Sequence, residues 1–226
     1  MASKLPEDHS VPSEASVTPK DVLLFIPNLI GYTRILTAVL SFVCMKRHPV
    51  AMLSLYGISG FLDAFDGWAA RKFDQGTRFG AVLDMVTDRC ATTSLICYLC
   101  VLYPQYFLAW QLLVSLDLTS HYMHMYAMTT SGSASHKNVD AKQSKILNLY
   151  YTNRKVLFGV CLLNELFYVA VYLHSFNFFW LGTVMVFVSA PVWLFKQVAN
   201  VIQLRAAALI MIKLDAADKA KRTKVE

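Results

Sequence analysis

Leu62-Asp63-Ala64-Phe65-Asp66-Gly67-Trp68-Ala69-Ala70-Arg71 stands at the end of an apolar run that begins at Val50. Acids in such a place are an anomaly, because a charged side chain at the bilayer centre costs about 2.5–3.5 kcal/mol even on insertion scales. Asp63 and Asp66 are three apart and share a helix face. Gly67 and Ala70 lie on or beside that face, so a ligand can come close to the backbone. Arg71 follows, with a guanidinium suited to forking onto phosphate oxygens. The next apolar run repeats the arrangement: Thr77, Gly80, Asp84 and Asp88, spaced three, four and four, form one stripe of a helix. The turn Asp74-Gln75-Gly76 joins the two runs, which predicts antiparallel helices packed side by side with converging acids. Mutual repulsion among four carboxylates demands cations. Two divalent ions would balance them, and hard oxygen ligands suit Mg2+ or Mn2+. Metal pairs about 3.5–4 Å apart are a known device of phosphoryl chemistry. A packing network of the acids with Arg71, Arg78 and Arg89 is the alternative, but it leaves the small residues on the acidic face unexplained.

The rest of the chain supports a membrane setting. Of 226 residues, 56% are hydrophobic and 16% charged, against about 45–50% and 25% in soluble domains. The apolar residues fall in long runs, so the expected fold is all-α and polytopic, with six transmembrane helices. The runs cover residues 28–45, 50–68 (continuing to Phe73), 77–102, 106–128, 155–173 and 178–202, after a short amphipathic approach at 22–26. Residues 1–20 read as a polar, disordered tail, 21–205 as the transmembrane domain, and 206–226 as a charged helix emerging into the cytosol. No cleavable leader is visible, so the first run is expected to act as the anchor.

The formal net charge is +6, and the basic residues gather between runs and at the C-terminus. Lys137, Lys142, Lys145 and Arg154 in one connection, Arg71, Lys72 and Arg78 in another, and the C-terminal lysines all fall on one side if six helices alternate. That side is cytosolic by the positive-inside rule, so both termini and the acidic site face the cytosol. No nucleic-acid motif is present. The five cysteines lie in apolar stretches, which excludes a disulfide framework; the Cys97/Cys100 pair reads as small packing residues rather than a redox site.

Asp63-x2-Asp66-Gly67-x2-Ala70-Arg71-x8-Gly80-x3-Asp84-x3-Asp88 resembles the signature of the CDP-alcohol phosphatidyltransferases, with all eight fixed positions present. Pro27-Asn28-Leu29-Ile30-Gly31-Tyr32-Thr33-Arg34 looks like that family's entry into its first helix. The wider resemblance spans roughly residues 22–222 and is greatest to eukaryotic members that join CDP-diacylglycerol to myo-inositol. Its further carriers are Ser135-His136-Lys137, Tyr150–Arg154, Asn164–Tyr168 and Leu214–Ala220. The resemblance implies that Asp63 and Asp84 share two divalent ions, Asp66 and Asp88 complete the two metal sites, and Asp88 is also the catalytic proton acceptor. Gly67, Arg71 and Thr77 would bind the CDP part of CDP-diacylglycerol, with Ala70 and Gly80 leaving room. The implied partners are CDP-diacylglycerol, myo-inositol and membrane lipids, with no nucleic acid. A homodimer in the endoplasmic reticulum membrane, or the Golgi, is also implied.

A metal-bound carboxylate is a weak base, so the role of Asp88 carries a tension that a lowered hydroxyl pKa or a shift of ligation would resolve. For the acceptor, Asp117, Ser120, His121 and His124 share one helix face, and Asn164 and Glu165 lie deep in the next run. The histidines read equally as interhelical hydrogen bonds or substrate contacts, Glu165 reads as a buried structural pair, and no third metal is expected at Asp117/His121/His124. Rival readings are the same chemistry on glycerol phosphate, serine, choline or ethanolamine, a divalent-metal transporter, and a non-catalytic lipid scaffold. Gly67, Ala70, Arg71, Thr77 and Gly80 have no evident use in ion passage, which disfavours the transporter.

Overall fold

A computed structural model describes residues 17–131, 152–176 and 178–223. The described residues are helical: α1 (Pro19–Leu24), α2 (Ile26–Cys44), α3 (Pro49–Lys72), α4 (Arg78–Leu102), a 3-10 turn (Pro104–Tyr106), α5 (Phe107–Ser131), α6 (Arg154–His174) and α7 (Phe179–Thr223). Their bounds follow the apolar runs to within a few residues, and no strand occurs among the described residues. The first 16 residues of the expected tail, and the resemblance carriers Ser135–Lys137 and Tyr150–Tyr151, lie outside the described residues.

Local chemistry sets the ends. Thr18 caps α1 in a reciprocal capping box with Asp21, and Pro19 occupies its first turn. Phe25, extended at ψ 139°, breaks the chain between α1 and α2. The α3–α4 turn places Asp74 at φ 53°, a left-handed conformation that Asp tolerates better than most residues. Gln75 Oε1 accepts from the Ile26 amide at 2.9 Å, so this turn is tied to the start of α2. Thr77 caps α4 by accepting from the Gly80 amide at 2.9 Å.

Among the described residues, four helices, α2, α4, α6 and α7, are long and apolar enough to cross a membrane, which makes this a multi-pass membrane protein. The sequence predicts six spans. The two remaining helices, α3 with 24 residues and α5 with 25, match the others in length but carry the acids of one site and the Asp117/His121 face of another. Large hydrophobics such as Val43, Phe61, Val101, Trp180 and Phe187 are exposed, as expected for surfaces facing lipid rather than water. The expected boundary near residue 202 does not interrupt α7, whose 45 residues run on to Thr223. At 1.5 Å per residue it is about 67 Å long and outreaches a hydrocarbon core of about 30 Å.

The packing corrects one expectation. Instead of α3 and α4 lying side by side, α2 packs against both, and α3 and α4 touch each other only sparsely. Gly31 makes the α2–α4 approach possible, since a Cβ there would lie 3.0 Å from Leu83 Cδ2. Ser59 holds α3 to α2 by donating to the Arg34 carbonyl at 3.0 Å. The acidic stripes therefore face each other across a gap whose third wall is α2. The apolar core lies toward the opposite ends of these helices, around Met45, Met52, Leu95, Leu99, Tyr172 and Leu173.

Candidate active site and metal centre

Asp63 and Asp66 come from the last turns of α3, Asp84 and Asp88 from the second and third turns of α4. Carboxylate oxygens of Asp63, Asp66 and Asp84 all lie within 4.8 Å of one another. Asp88 joins them through a residue that sequence reasoning placed only in the entry to the first helix. The guanidinium of Arg34, on α2 and 1% exposed, reaches into the middle of the acids. Its Nη1 donates to Asp66 and, at 2.6 Å, to Asp84; its Nη2 contacts Asp88 and, at 2.6 Å, Asp63. The signal that could have found it was in the sequence: an arginine eight residues into an apolar helix must face an anion.

One guanidinium does not balance four carboxylates, and its Nε is buried with no hydrogen-bond partner. Donor chemistry and spacing fit hard divalent cations: oxygen ligands only, several of them within reach of one point, and excess negative charge.

The other predicted residues surround this centre. Arg71 folds back over Gly67, so that a Cβ on Gly67 would lie 3.4 Å from Arg71 Nη1. Gly80, unlike Gly67, has no room for a side chain, since a Cβ would lie 2.9 Å from Asn28 Oδ1 and 3.1 Å from Thr77 Oγ1. Asn28 is 1% exposed, and its Oδ1 has no hydrogen-bond partner. Gly67, Arg71 and Thr77 thus lie at the open ends of α3 and α4, at the same ends of these helices as the acids.

A cavity of about 610 Å³ opens from Arg34, Asp63 and Asp88 and extends between α3, α4 and α6. One side is apolar, with Phe61, Phe158 and Leu162 at exposed positions. The α5 face connects to the acidic cluster through Arg89, whose Nη2 lies 3.6 Å from Asp88 Oδ2. Arg89 grips Asp117 at 2.9 and 3.0 Å, and His121 Nδ1 pairs with the Asp117 carbonyl at 2.8 Å. His124 is exposed. The Arg89–Asp117 pair joins two helices, whereas His121 bonds within its own helix.

A model of the CDP-alcohol phosphatidyltransferases matches residues 24–214 of the 226. The chain belongs to the CDP-alcohol phosphatidyltransferase family. It is 70% identical over 210 residues to a CDP-diacylglycerol–inositol 3-phosphatidyltransferase of Candida albicans, covering 93% of this chain and 91% of that protein. Proteins of the same description from Saccharomyces cerevisiae and Homo sapiens are 52% and 48% identical; the alignments cover 92% and 90% of this chain and 95% and 98% of those proteins. No solved structure matches the chain. As a CDP-alcohol phosphatidyltransferase the chain is a transferase of a divalent-metal-dependent family, and its acidic cluster has the composition such ions need.

Proposed function

We propose that this CDP-alcohol phosphatidyltransferase moves the phosphatidyl group of CDP-diacylglycerol to myo-inositol, releasing CMP and leaving phosphatidylinositol in the membrane. The observation that carries the chemistry is the meeting of the Asp63, Asp66, Asp84 and Asp88 carboxylates around the Arg34 guanidinium, the first three within 4.8 Å of one another. The acceptor is supported by relatives named for inositol that align along nine-tenths of the chain.

On this reading six helices span the bilayer, α3 and α5 included, their polar faces turned inward. Asp63, Asp66, Asp84 and Asp88 hold two divalent ions, Mg2+ or Mn2+. Held there, such ions would neutralise charge on the diphosphate as the bond within it, between the phosphatidyl phosphorus and the departing CMP oxygen, breaks. Gly67 lets the nucleotide approach the α3 backbone, Arg71 pairs with phosphate oxygens, and Thr77 holds the nucleotide at the start of α4. Phe61, Phe158 and Leu162 border the opening through which acyl chains reach the bilayer. Asp88 accepts the proton of the attacking inositol hydroxyl, whose oxygen displaces CMP from the phosphorus nearest the diacylglycerol. Both termini and the site face the cytosol. The working unit is a homodimer of the endoplasmic reticulum membrane.

Purified protein in detergent, given CDP-diacylglycerol and labelled myo-inositol, should form labelled lipid and CMP in equal amounts, and only with Mg2+ or Mn2+. Activity confined to a different alcohol would keep the chemistry and overturn the acceptor. No CMP with any alcohol would overturn the reading altogether.

A further inference from the structure

The cavity at the acids continues past them. Beyond Asp88 it reaches Asn164 and Glu165 on α6 and Lys196 on α7, residues with no part in the donor chemistry above. Thr92 connects the two regions: its hydroxyl lies 3.1 Å from the Asp88 carbonyl and donates to Glu165 Oε1 at 2.8 Å. Tyr56 donates to Glu165 Oε2 at 2.8 Å. Glu165 therefore sits about one helical turn from the candidate base, pinned by hydroxyls from α3 and α4.

These bonds are more than packing requires. A carboxylate accepts through about four lone-pair sites; the two hydroxyls and, at 3.5 Å, Asn164 Nδ2 use three of them, which leaves one. Glu165 is half-buried, with the cavity as its open side. A neutral glutamine would close the same three helices without placing a charge deep in a membrane protein. Near it lie a carboxamide and a cation that are also held in place. Asn164, 4% exposed, accepts from Gln197 Nε2 at 3.1 Å, and Lys196, 3% exposed, donates to Asn200 at 2.8 Å. Leu166 and Val169 supply an apolar wall to the same cavity. Acceptors, donors and an apolar wall suit a cyclic polyol, whose hydroxyls each donate and accept while its ring face carries C–H groups.

We propose that Glu165, Asn164 and Lys196 form the acceptor-polyol subsite. Glu165 takes a hydrogen bond from one hydroxyl of the ring, and this fixes which neighbouring hydroxyl is presented to Asp88. The assignment rests on the phosphatidyl-transfer reading of the acidic centre.

The test is steady-state kinetics of the purified full-length protein with CDP-diacylglycerol and Mn2+, for wild type, Glu165→Gln and Lys196→Met. The expected result for Glu165→Gln is a KM for myo-inositol raised on the order of 10- to 100-fold, the loss of a charged hydrogen bond, with the KM for CDP-diacylglycerol within about twofold of wild type. Stabilisation against heat by CMP stays at the wild-type level. Wild type should also discriminate against a monodeoxy-inositol lacking the contacted hydroxyl, and Glu165→Gln should lose most of that discrimination, an effect a merely structural role would not produce. Lys196→Met reads the same parameters if Glu165→Gln fails to fold. An unchanged inositol KM in the folded variants, or a rise in both KM values together with loss of the CMP effect, would overturn the assignment. Wild type inactive on inositol but active on another alcohol would overturn the acceptor instead, and the KM for that alcohol in Glu165→Gln would still decide whether Glu165 lines the subsite.

Discussion

Arg34→Ala removes the one side chain that touches all four acids. The carboxylates of Asp63, Asp66, Asp84 and Asp88 are then left facing one another with only Arg89, 3.6 Å from Asp88 Oδ2, at their margin. Breaking a buried ion pair from one side typically costs about 3–5 kcal/mol. Here Asp63, Asp84 and Asp88 keep 35%, 45% and 35% of their side chains exposed. Solvent screens part of the repulsion, so the lower end, about 3 kcal/mol, applies. For a chain of this size that lowers Tm by about 6–12 °C. The assay is thermal unfolding in detergent, once in EDTA and once in Mn2+. Saturating metal, at about 100 times its Kd, returns about 2.7 kcal/mol. It does so more effectively in the variant, where no guanidinium competes for the same oxygens. The gap between wild type and variant should therefore be wide in EDTA and narrow in Mn2+. A variant that melts with wild type in EDTA, or a gap that Mn2+ leaves unchanged, refutes the placement of Arg34 as the counter-ion of the acids.

Two further outcomes follow from the geometry. Asp88→Asn should lower turnover by about 10²–10⁴-fold, the usual scale of a lost general base, while CMP still raises the melting temperature; near-normal turnover would remove Asp88 from that role. Gly182→Ala would place a Cβ 2.7 Å from the His174 amide nitrogen and 2.8 Å from the Ala170 carbonyl, where only backbone can yield. It should destabilise the α6–α7 pair by about 1–3 kcal/mol, read as a lower Tm with the KM for both substrates unchanged.

Much of the molecule was legible from sequence because membrane helices declare themselves by length and hydropathy, and because carboxylates within them have few innocent explanations. The spacing of Asp63, Asp66, Asp84 and Asp88 placed them on faces that meet at Arg34 in the structure, and Thr77 and Gly80 stand at the start of α4. Arg34 was not read as central, since nothing in one helix's periodicity says that its cation will meet acids about 30–50 residues later. The sparse α3–α4 contact was hidden for a related reason. A short turn implies neighbours, but here α2 packs against both helices and walls the gap in which their acidic stripes meet. Glu165 was expected to be structurally paired, and its bonds to Tyr56 and Thr92 agree; the cavity on its open side depends on three helices at once and has no signature in any one of them.

The central claim is that α3 and α4 together hold divalent ions in their facing carboxylates. Mn2+ titration followed by electron paramagnetic resonance tests it on the purified protein without reference to turnover. The account predicts two ions per chain whose spectrum shows spin coupling, reduced to one uncoupled ion in Asp88→Asn and to none when Asp63 and Asp84 are both changed to Asn. Binding that persists in that double variant, or no bound Mn2+ in the wild type, would contradict it.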